Sequence, residues 1–280
     1  MGLAFADVVE HSPFNGGAFR WRMHTRALDE SLWLQPDGDR DADLALKRGF
    51  IESDPSGCLG WLDGSEAAST ELLELVLAEC RRRGLDPASS GTHPIDRAGR
   101  STQEDLCLLE PVDGEWTLTA GSVCFPTRWA LSDKLGASLA EIHGPVPSYA
   151  EHVGAAVERF FDRLTPGAVA YRLNWSLVGD GARRLPADAR QAPATMPADP
   201  AAGLFVRIER QTVRRLVAHR AVVFGIRIHV WPLGTVMDDM RAMSFADHLA
   251  GLPLDVARYK NLDGLRDDLD RWLRGGGEGA

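Results

Sequence analysis

Residues 169–178 read VAYRLNWSLV, 204–209 read LFVRIE and 222–231 read VVFGIRIHVW, and these three stretches decide the fold. In each, side chains alternate with period two, the mark of a strand with one face on a core. In the first, Val169, Tyr171, Leu173, Trp175 and Leu177 oppose Arg172, Asn174 and Ser176. In the second, Leu204, Val206 and Ile208 oppose Phe205, Arg207 and Glu209; in the third, Val222, Phe224, Ile226, Ile228 and Val230 oppose Arg227, His229 and Trp231. The opposing faces carry guanidinium, amide, carboxylate and imidazole groups, which suit either a solvated sheet face or the wall of a polar pocket.

Outward from these strands, short apolar runs at 106–109, 116–120 and 122–125 extend the sheet, with Asp113-Gly114 as a hairpin turn between the first two. Leu72, Leu73, Val76, Leu77 and Cys80 share a helical face, followed by Arg81, Arg82 and Arg83 in a last turn and Gly84 as the stop. Ser148 and Glu151 have capping-box spacing ahead of a helical run through Tyr149, Val153, Val157, Phe160 and Leu164. The C-terminal third predicts a helix over 245–250 behind Ser244, and a last amphipathic one through Leu262, Leu265, Leu269, Trp272 and Leu273. Residues 87–103 and the proline-rich 183–200 read as loops. The fold class implied is α+β, a central, mostly antiparallel sheet flanked by helices. It divides into an N-terminal wrapping arm over 1–63, a single domain over 64–274 and a disordered tail over 275–280.

Composition narrows the function. The 280 residues are 44% apolar, enough for a large core, which excludes a disordered or fibrous class. A net charge of −9 argues against nucleic acid as a partner. Lysine is scarce: Lys47, Lys134 and Lys260 are the whole set. Cys58, Cys80, Cys107 and Cys124 form no Cys-x-x-Cys pair for zinc or an iron–sulfur cluster, and their number suits a reducing compartment. No run approaches the roughly eighteen apolar residues of a membrane span, and the N-terminus has acids where a signal peptide has bases. Ala6 also breaks the myristoylation pattern that Gly2 begins. A cytoplasmic protein with no membrane partner is the expectation.

Motif searches are mostly negative. No G-x-G-x-x-G, Walker loop, G-x-S-x-G or H-E-x-x-H occurs, so no nicotinamide or flavin site of the Rossmann type is expected. Asp37, Asp39, Asp41 and Asp43 imitate a calcium loop, but Ala42 takes the glycine position and Arg48 the final glutamate position, leaving a solvated loop. Of eight histidines none has metal-ligand spacing, yet His143 differs in its setting. It follows Leu131, Leu135, Leu139 and Ile142 and precedes Gly144-Pro145-Val146-Pro147, whose prolines stiffen the backbone. An imidazole at a rigid helix end against an apolar floor suits axial ligation of haem iron.

Further segments join this one: Cys124-Phe125-Pro126-Thr127-Arg128-Trp129, Asp133-Lys134-Leu135-Gly136, Ile142-His143-Gly144-Pro145-Val146-Pro147-Ser148-Tyr149, Arg172-Leu173-Asn174-Trp175-Ser176 and Arg207-Ile208-Glu209-Arg210-Gln211-Thr212. With Leu28-Asp29 and Trp33-Leu34 near the start and Ala257-Arg258-Tyr259-Lys260 near the end, they span nearly the whole chain. In this order the sequence resembles the haem-dependent oxidative N-demethylases, whose haem subunit is PAS-like. The resemblance implies a haem b monooxygenase that uses O₂ to oxidise an N-methyl group of a small secondary amine, releasing formaldehyde. It also implies electrons from a separate flavin and iron–sulfur reductase. His143 is then the axial ligand, with the Cys124 thiolate as its rival. Arg172, Arg207, Arg210 and Arg227, with His229, are candidates for the haem site, the arginines through charge-assisted pairing with propionates. Asn174 and Glu209 are candidates to hold the ammonium of the substrate. The sequence departs from the family pattern at Gly144, where Ala is usual, and at Ser148, where Gly is usual; both touch the loop beside the proposed ligand. The alternative is a PAS-like haem or small-ligand sensor without turnover.

Overall fold

A computed structural model describes Pro13, Phe14, Phe19, Trp21 and residues 23–187 and 195–275. Seven antiparallel strands form one sheet: β1 (Arg26–Leu28), β2 (Leu59–Trp61), β3 (Asp105–Val112), β4 (Glu115–Ser122), β5 (Val169–Val178), β6 (Phe205–Arg215) and β7 (Val222–Pro232), in the order β1-β5-β6-β7-β3-β4-β2. The period-two stretches are thus neighbours at the centre. The β3–β4 turn sits at Asp113-Gly114, with φ of 50° and 92°, a double left-handed geometry that glycine and aspartate tolerate.

The alternation sorts the side chains. One face carries Val206 and Ile208 with Trp175 and Leu177, covered by the helices α9 (Asp239–Ala250), α10 (Leu254–Tyr259) and α11 (Arg266–Leu273). Further along the same face, Leu106, Leu108 and Val223 receive α3 (Glu66–Arg83), α4 (Pro94–Ser101) and Trp33. The other face carries Cys107, Leu109, Val213 and Val222 under Leu131, Leu139 and Phe161, the last from α6 (Ala155–Arg163), and then Ile226 and Ile228 under Ile51, Cys58, Cys124 and Phe125.

Several elements differ from the sequence reading, each for a local reason. The first 63 residues are more regular than an irregular arm: they supply both edge strands and the helices α1 (Arg40–Ser53) and α2 (Pro55–Cys58). Helix α4 occupies part of the expected loop at 87–103, started by Pro94 at its first turn and by His93, whose Nδ1 accepts from Ile95 N. Strand β6 runs to Arg215 because it stays paired on both sides, Arg214 with Val169 of β5 and Arg215 with Val222 of β7. The capping box lies at Ser138 and Glu141, opening α5 (Leu139–Ile142), and not at Ser148 and Glu151. Ser148 instead takes a left-handed φ of 52°, and a π-helical turn, Ala150–Gly154, precedes α6. Short helices α7 (Pro200–Gly203) and α8 (Leu233–Val236) flank β6 and β7. Residues 188–194 of the expected loop, and all of the expected tail except Gly275, lie outside the described residues.

Candidate functional site

Parity along β6 decides which polar groups share a face. Arg207, Glu209 and Gln211 point one way, with Arg172 and Asn174 across from Gln211 and Glu209 on β5. Arg210, Arg227 and His229 point the other way, with Arg210 opposite Arg227 and His229 opposite Ile208. The structure therefore does not bring Arg210, Arg227 and His229 together with Arg172, Asn174 and Glu209.

The second set is engaged in holding the fold. Arg210 donates to Leu32 O at 2.6 Å and Trp33 O at 3.2 Å. Arg227, fully buried, pairs with Asp37 at 2.7 Å and Asp43 at 3.1 Å. Two buried guanidinium groups directly opposite each other repel, and the segment from Leu32 to Asp43 supplies the carbonyls and carboxylates that neutralise them. This corrects the solvated-loop reading of the aspartate run: Asp43 is 1% exposed, and Gln103 Nε2 bridges Asp37 and Asp43 at 2.9 and 2.7 Å. His229 stacks on Trp231, and burial pushes its imidazole down to about 3, with Arg227 acting the same way, so it is neutral at ordinary pH.

Arg207 lies on the face of Glu209, but its donors are spent. They reach Phe125 O at 2.9 Å, Pro126 O at 3.4 Å, Ala182 O at 3.3 Å and Thr127 Oγ1 at 2.9 Å. It anchors the loop after β4. Burial lowers it to about 10. Thr127 passes the contact on, donating to Glu209 Oε1 at 2.5 Å, while Gln211 Nε2 at 2.8 Å and Asn174 Nδ2 at 3.3 Å donate to Oε2.

His143 caps the short helix α5, and its Nδ1 lies 2.8 Å from Leu139 O. Burial lowers its proton affinity and Arg172 and Lys134 reinforce this, while the Leu139 carbonyl acts in the opposite direction. A neutral imidazole that donates through Nδ1 carries its lone pair on Nε2, the arrangement a metal ligand needs. The ring stacks on Tyr149 at 4.4 Å and 6°, a contact that the left-handed Ser148 and the two prolines set up. Arg172 is within electrostatic reach of His143, Tyr149, Glu209 and Lys260. Its Nε, like Tyr149 Oη, is buried without a hydrogen-bond partner.

Lys260, at the end of α10, completes the group. It donates to Trp175 O at 2.7 Å and lies 4.4 Å over the Trp175 ring, at the edge of β5 that β1 leaves open beyond Tyr171. Burial lowers it to about 8 against the opposing pull of Glu209. Cys124, fully buried, lies instead with Cys58 and Lys47; the hydrogen bond it makes to Cys58 and burial both raise its thiol. Arg184 Nη1 sits 3.0 Å from Cys58 Sγ.

Sequence reasoning missed Thr127, Tyr149 and Lys260 as site residues. The signals were present: all three lie in the segments that carry the family resemblance, and Lys260 is one of three lysines in the chain. No group of three or more His, Cys, Asp or Glu side chains poised around one metal ion occurs among the described residues. A haem iron needs only one protein ligand, with other groups for its carboxylates, and His143 with the unpartnered Arg172 fits that demand.

An α+β domain that sets a neutral imidazole and unpaired guanidinium donors against one sheet face has the makings of a haem-holding protein. The family model described as haem-dependent oxidative N-demethylase, alpha subunit-like, matches residues 81–269, and the chain belongs to that family. His143, Arg172, Asn174, Glu209 and Lys260 all fall inside the matched span. No helix among the described residues is long and apolar enough to cross a membrane.

Proposed function

We propose that this chain is the haem b subunit of an O₂-dependent oxidative N-demethylase acting on a small secondary amine. His143 would hold the haem iron through Nε2, and Arg172 would pair with a propionate. One observation carries the reading: the His143 imidazole, turned by its bond to Leu139 O, lies within electrostatic reach of a buried guanidinium with no hydrogen-bond partner. When bound, haem supplies reductive activation of O₂ and oxidation of the methyl carbon. The chain's own part is to bind and orient. Glu209 and Asn174 hold the substrate ammonium, and Thr127 and Gln211 keep the carboxylate pointed. Electrons come from a separate flavin and iron–sulfur reductase, and formaldehyde leaves with the demethylated amine.

The PAS-like fold is part of the same reading. The order β4-β3-β7-β6-β5, with the first and last of five consecutive strands paired at the centre, supports it. A cytoplasmic setting is supported by four buried cysteines, none of them in a disulfide. We retain the division into a segment over 1–63 and one domain over 64–274.

The test is a spectrum of the purified protein. Haem supplementation should give a Soret band that His143→Ala abolishes, and the ferrous–CO form should report nitrogen ligation and not sulfur. An unchanged spectrum in His143→Ala removes that residue from the role. With a reductase, O₂ and dimethylamine, formaldehyde should appear; ligand-dependent spectral change without product under good coupling indicates a sensor.

A further inference from the structure

Cys58 and Cys124 meet at the end of one ladder. β2 pairs with β4 in the register Leu59↔Ser122, and Val123 N continues the pairing by donating to Cys58 O at 2.7 Å. Cys58 therefore closes α2 where Cys124 leaves β4, and both thiols, 0% exposed, share the apolar cluster of Ile51, Phe125, Ile226 and Ile228. Cys124 donates its S–H to Cys58 Sγ. Its own place is fixed by Asp105, whose carboxylate accepts from Cys124 N at 2.9 Å and Phe125 N at 2.8 Å and lies 3.7 Å from Lys47.

Packing alone makes a pair of buried thiols inert. What sets this pair apart is a cation. Arg184 Nη1 lies 3.0 Å from Cys58 Sγ, its Nη2 lies 3.2 Å from Asp54 Oδ2, and its guanidinium sits 4.9 Å over the Phe50 ring. The backbone holds it there. Leu185 N donates to Pro126 O at 3.0 Å and Arg128 N donates to Leu185 O at 2.7 Å, so Arg184 is tied to the loop that Cys124 begins. A guanidinium stabilises a thiolate, not a thiol. The hydrogen bond from Cys124 and, against burial, the contacts of Arg184 bring the Cys58 thiol down to about 7, with Asp54 opposing. Burial raises Cys80 and Cys107, and Cys124 goes up as the donor of the pair. The Arg184 side chain is 18% exposed and that of Asp54 50%, so the group over the Cys58 sulfur itself reaches the surface.

We infer that Cys58 and Cys124 form an oxidation site for hydrogen peroxide, with Cys58 the attacking sulfur and Cys124 the resolving one. First the Cys58 thiolate takes one peroxide oxygen: the S–O bond forms, the O–O bond breaks, sulfur gives up two electrons and hydroxide leaves, producing a sulfenic acid. Then the Cys124 proton goes to that hydroxide, Cys124 Sγ attacks Cys58 Sγ, the S–S bond forms and the S–O bond breaks, releasing a second hydroxide. Counting the proton that Cys58 has lost to solvent, two thiols and one peroxide become one disulfide and two waters. The resolving sulfur is already in contact with the one it attacks. The site rests on the N-demethylase reading only for its supply, since an O₂-reducing centre that passes electrons to oxygen without forming product releases peroxide.

The experiment adds peroxide directly to the reduced, folded protein at neutral pH, counts thiols after denaturation and maps the linkage by peptide mass spectrometry. Two of the four thiols should disappear, joined as Cys58–Cys124, with Cys80 and Cys107 intact. In Cys124→Ala, dimedone should label Cys58 after peroxide and not before. Arg184→Gln separates chemistry from packing. Losing the cation cuts the thiolate share at pH 7 from about half to about a tenth and slows oxidation about 5-fold. At pH 9, where both proteins hold Cys58 mostly as thiolate, the two rates should converge, which a packing defect would not produce. No cross-link in folded wild type, equal loss of Cys80 or Cys107, or an Arg184→Gln deficit that persists at pH 9 overturns the assignment. So does a cross-link that appears only once circular dichroism shows the chain unfolded. Should Cys124→Ala fail to fold, the wild-type cross-link and the Arg184→Gln pH profile decide. None of these readouts uses haem, so this site and the proposed activity stand or fall separately.

Discussion

Replacing Arg227 with Met tests whether this arginine belongs to the architecture or to a ligand. Its guanidinium is fully buried and bridges Asp37 and Asp43 at 2.7 and 3.1 Å. Breaking a buried ion pair from one side costs about 3–5 kcal/mol, because the partner charge is stranded. Here the stranding is incomplete. Asp43 keeps Gln103 at 2.7 Å and Arg183 at 3.0 Å, and Asp37 is 27% exposed and keeps Gln103 at 2.9 Å. The lower end, about 3 kcal/mol, is therefore expected, a drop of roughly 6–12 °C in melting temperature at 2–4 °C per kcal/mol. Circular dichroism melts at neutral pH on Arg227→Met, Asp43→Asn and the double variant measure both the loss and the coupling, which should exceed about 1 kcal/mol. The haem spectrum should not change, since Arg227 faces away from Glu209. A melt within about 2 °C of wild type, additive losses, or a vanished Soret band would each refute the reasoning.

His229 offers a pH test. Its folded value is pushed down to about 3 by burial and then by Arg227, below an unfolded value near 6.5, so the unfolded chain binds the extra proton between those limits. Stability should fall as pH drops from about 6.5 toward 3, and His229→Phe should flatten that part of the curve in urea melts at several pH values; an unchanged slope rejects the assignment. Glu209→Gln should retain haem but weaken spectral binding of dimethylamine about 10- to 100-fold, by loss of a charged hydrogen bond, and equal affinity would remove Glu209 from substrate binding. Gly99→Ala should destabilise by about 1–3 kcal/mol through overpacking, because an added Cβ would lie 2.0 Å from Ser122 Oγ; a neutral melt would show that α4 shifts freely on β4.

Much of the sheet was legible because alternation survives in β5 and β7, where nearly every second residue is apolar. The sequence reading ends β6 at Glu209 and groups Arg207 with Arg210 at the haem site; because the strand runs on to Arg215, a spacing of three positions puts the two on opposite faces. What the sequence hid was the acceptor of each arginine. Arg210 and Arg227 are answered by carbonyls and carboxylates nearly two hundred positions away, a pairing that no local pattern encodes. Helix α4 escaped notice because its buried residues are Asp96, Ala98, Gly99 and Ser101 beside a single large apolar one, Ile95. The site was partly readable: His143 stood out by its prolines, and Glu209 and Asn174 by their place on a polar face.

The sheet has consequences for how the molecule comes into being. Leu32 and Trp33 wait for Arg210, which follows them by 178 and 177 residues, and β1 waits for β5. At a synthesis rate of about 5–20 residues per second, the ribosome needs roughly 10–40 s to make that arginine. During this interval the indole of Trp33 and its neighbour Leu34 have emerged while the strands that will cover them have not. The opening segment is thus born first and seated last, and any delay in translating the later strands lengthens its exposure to chaperones, proteases and other nascent chains.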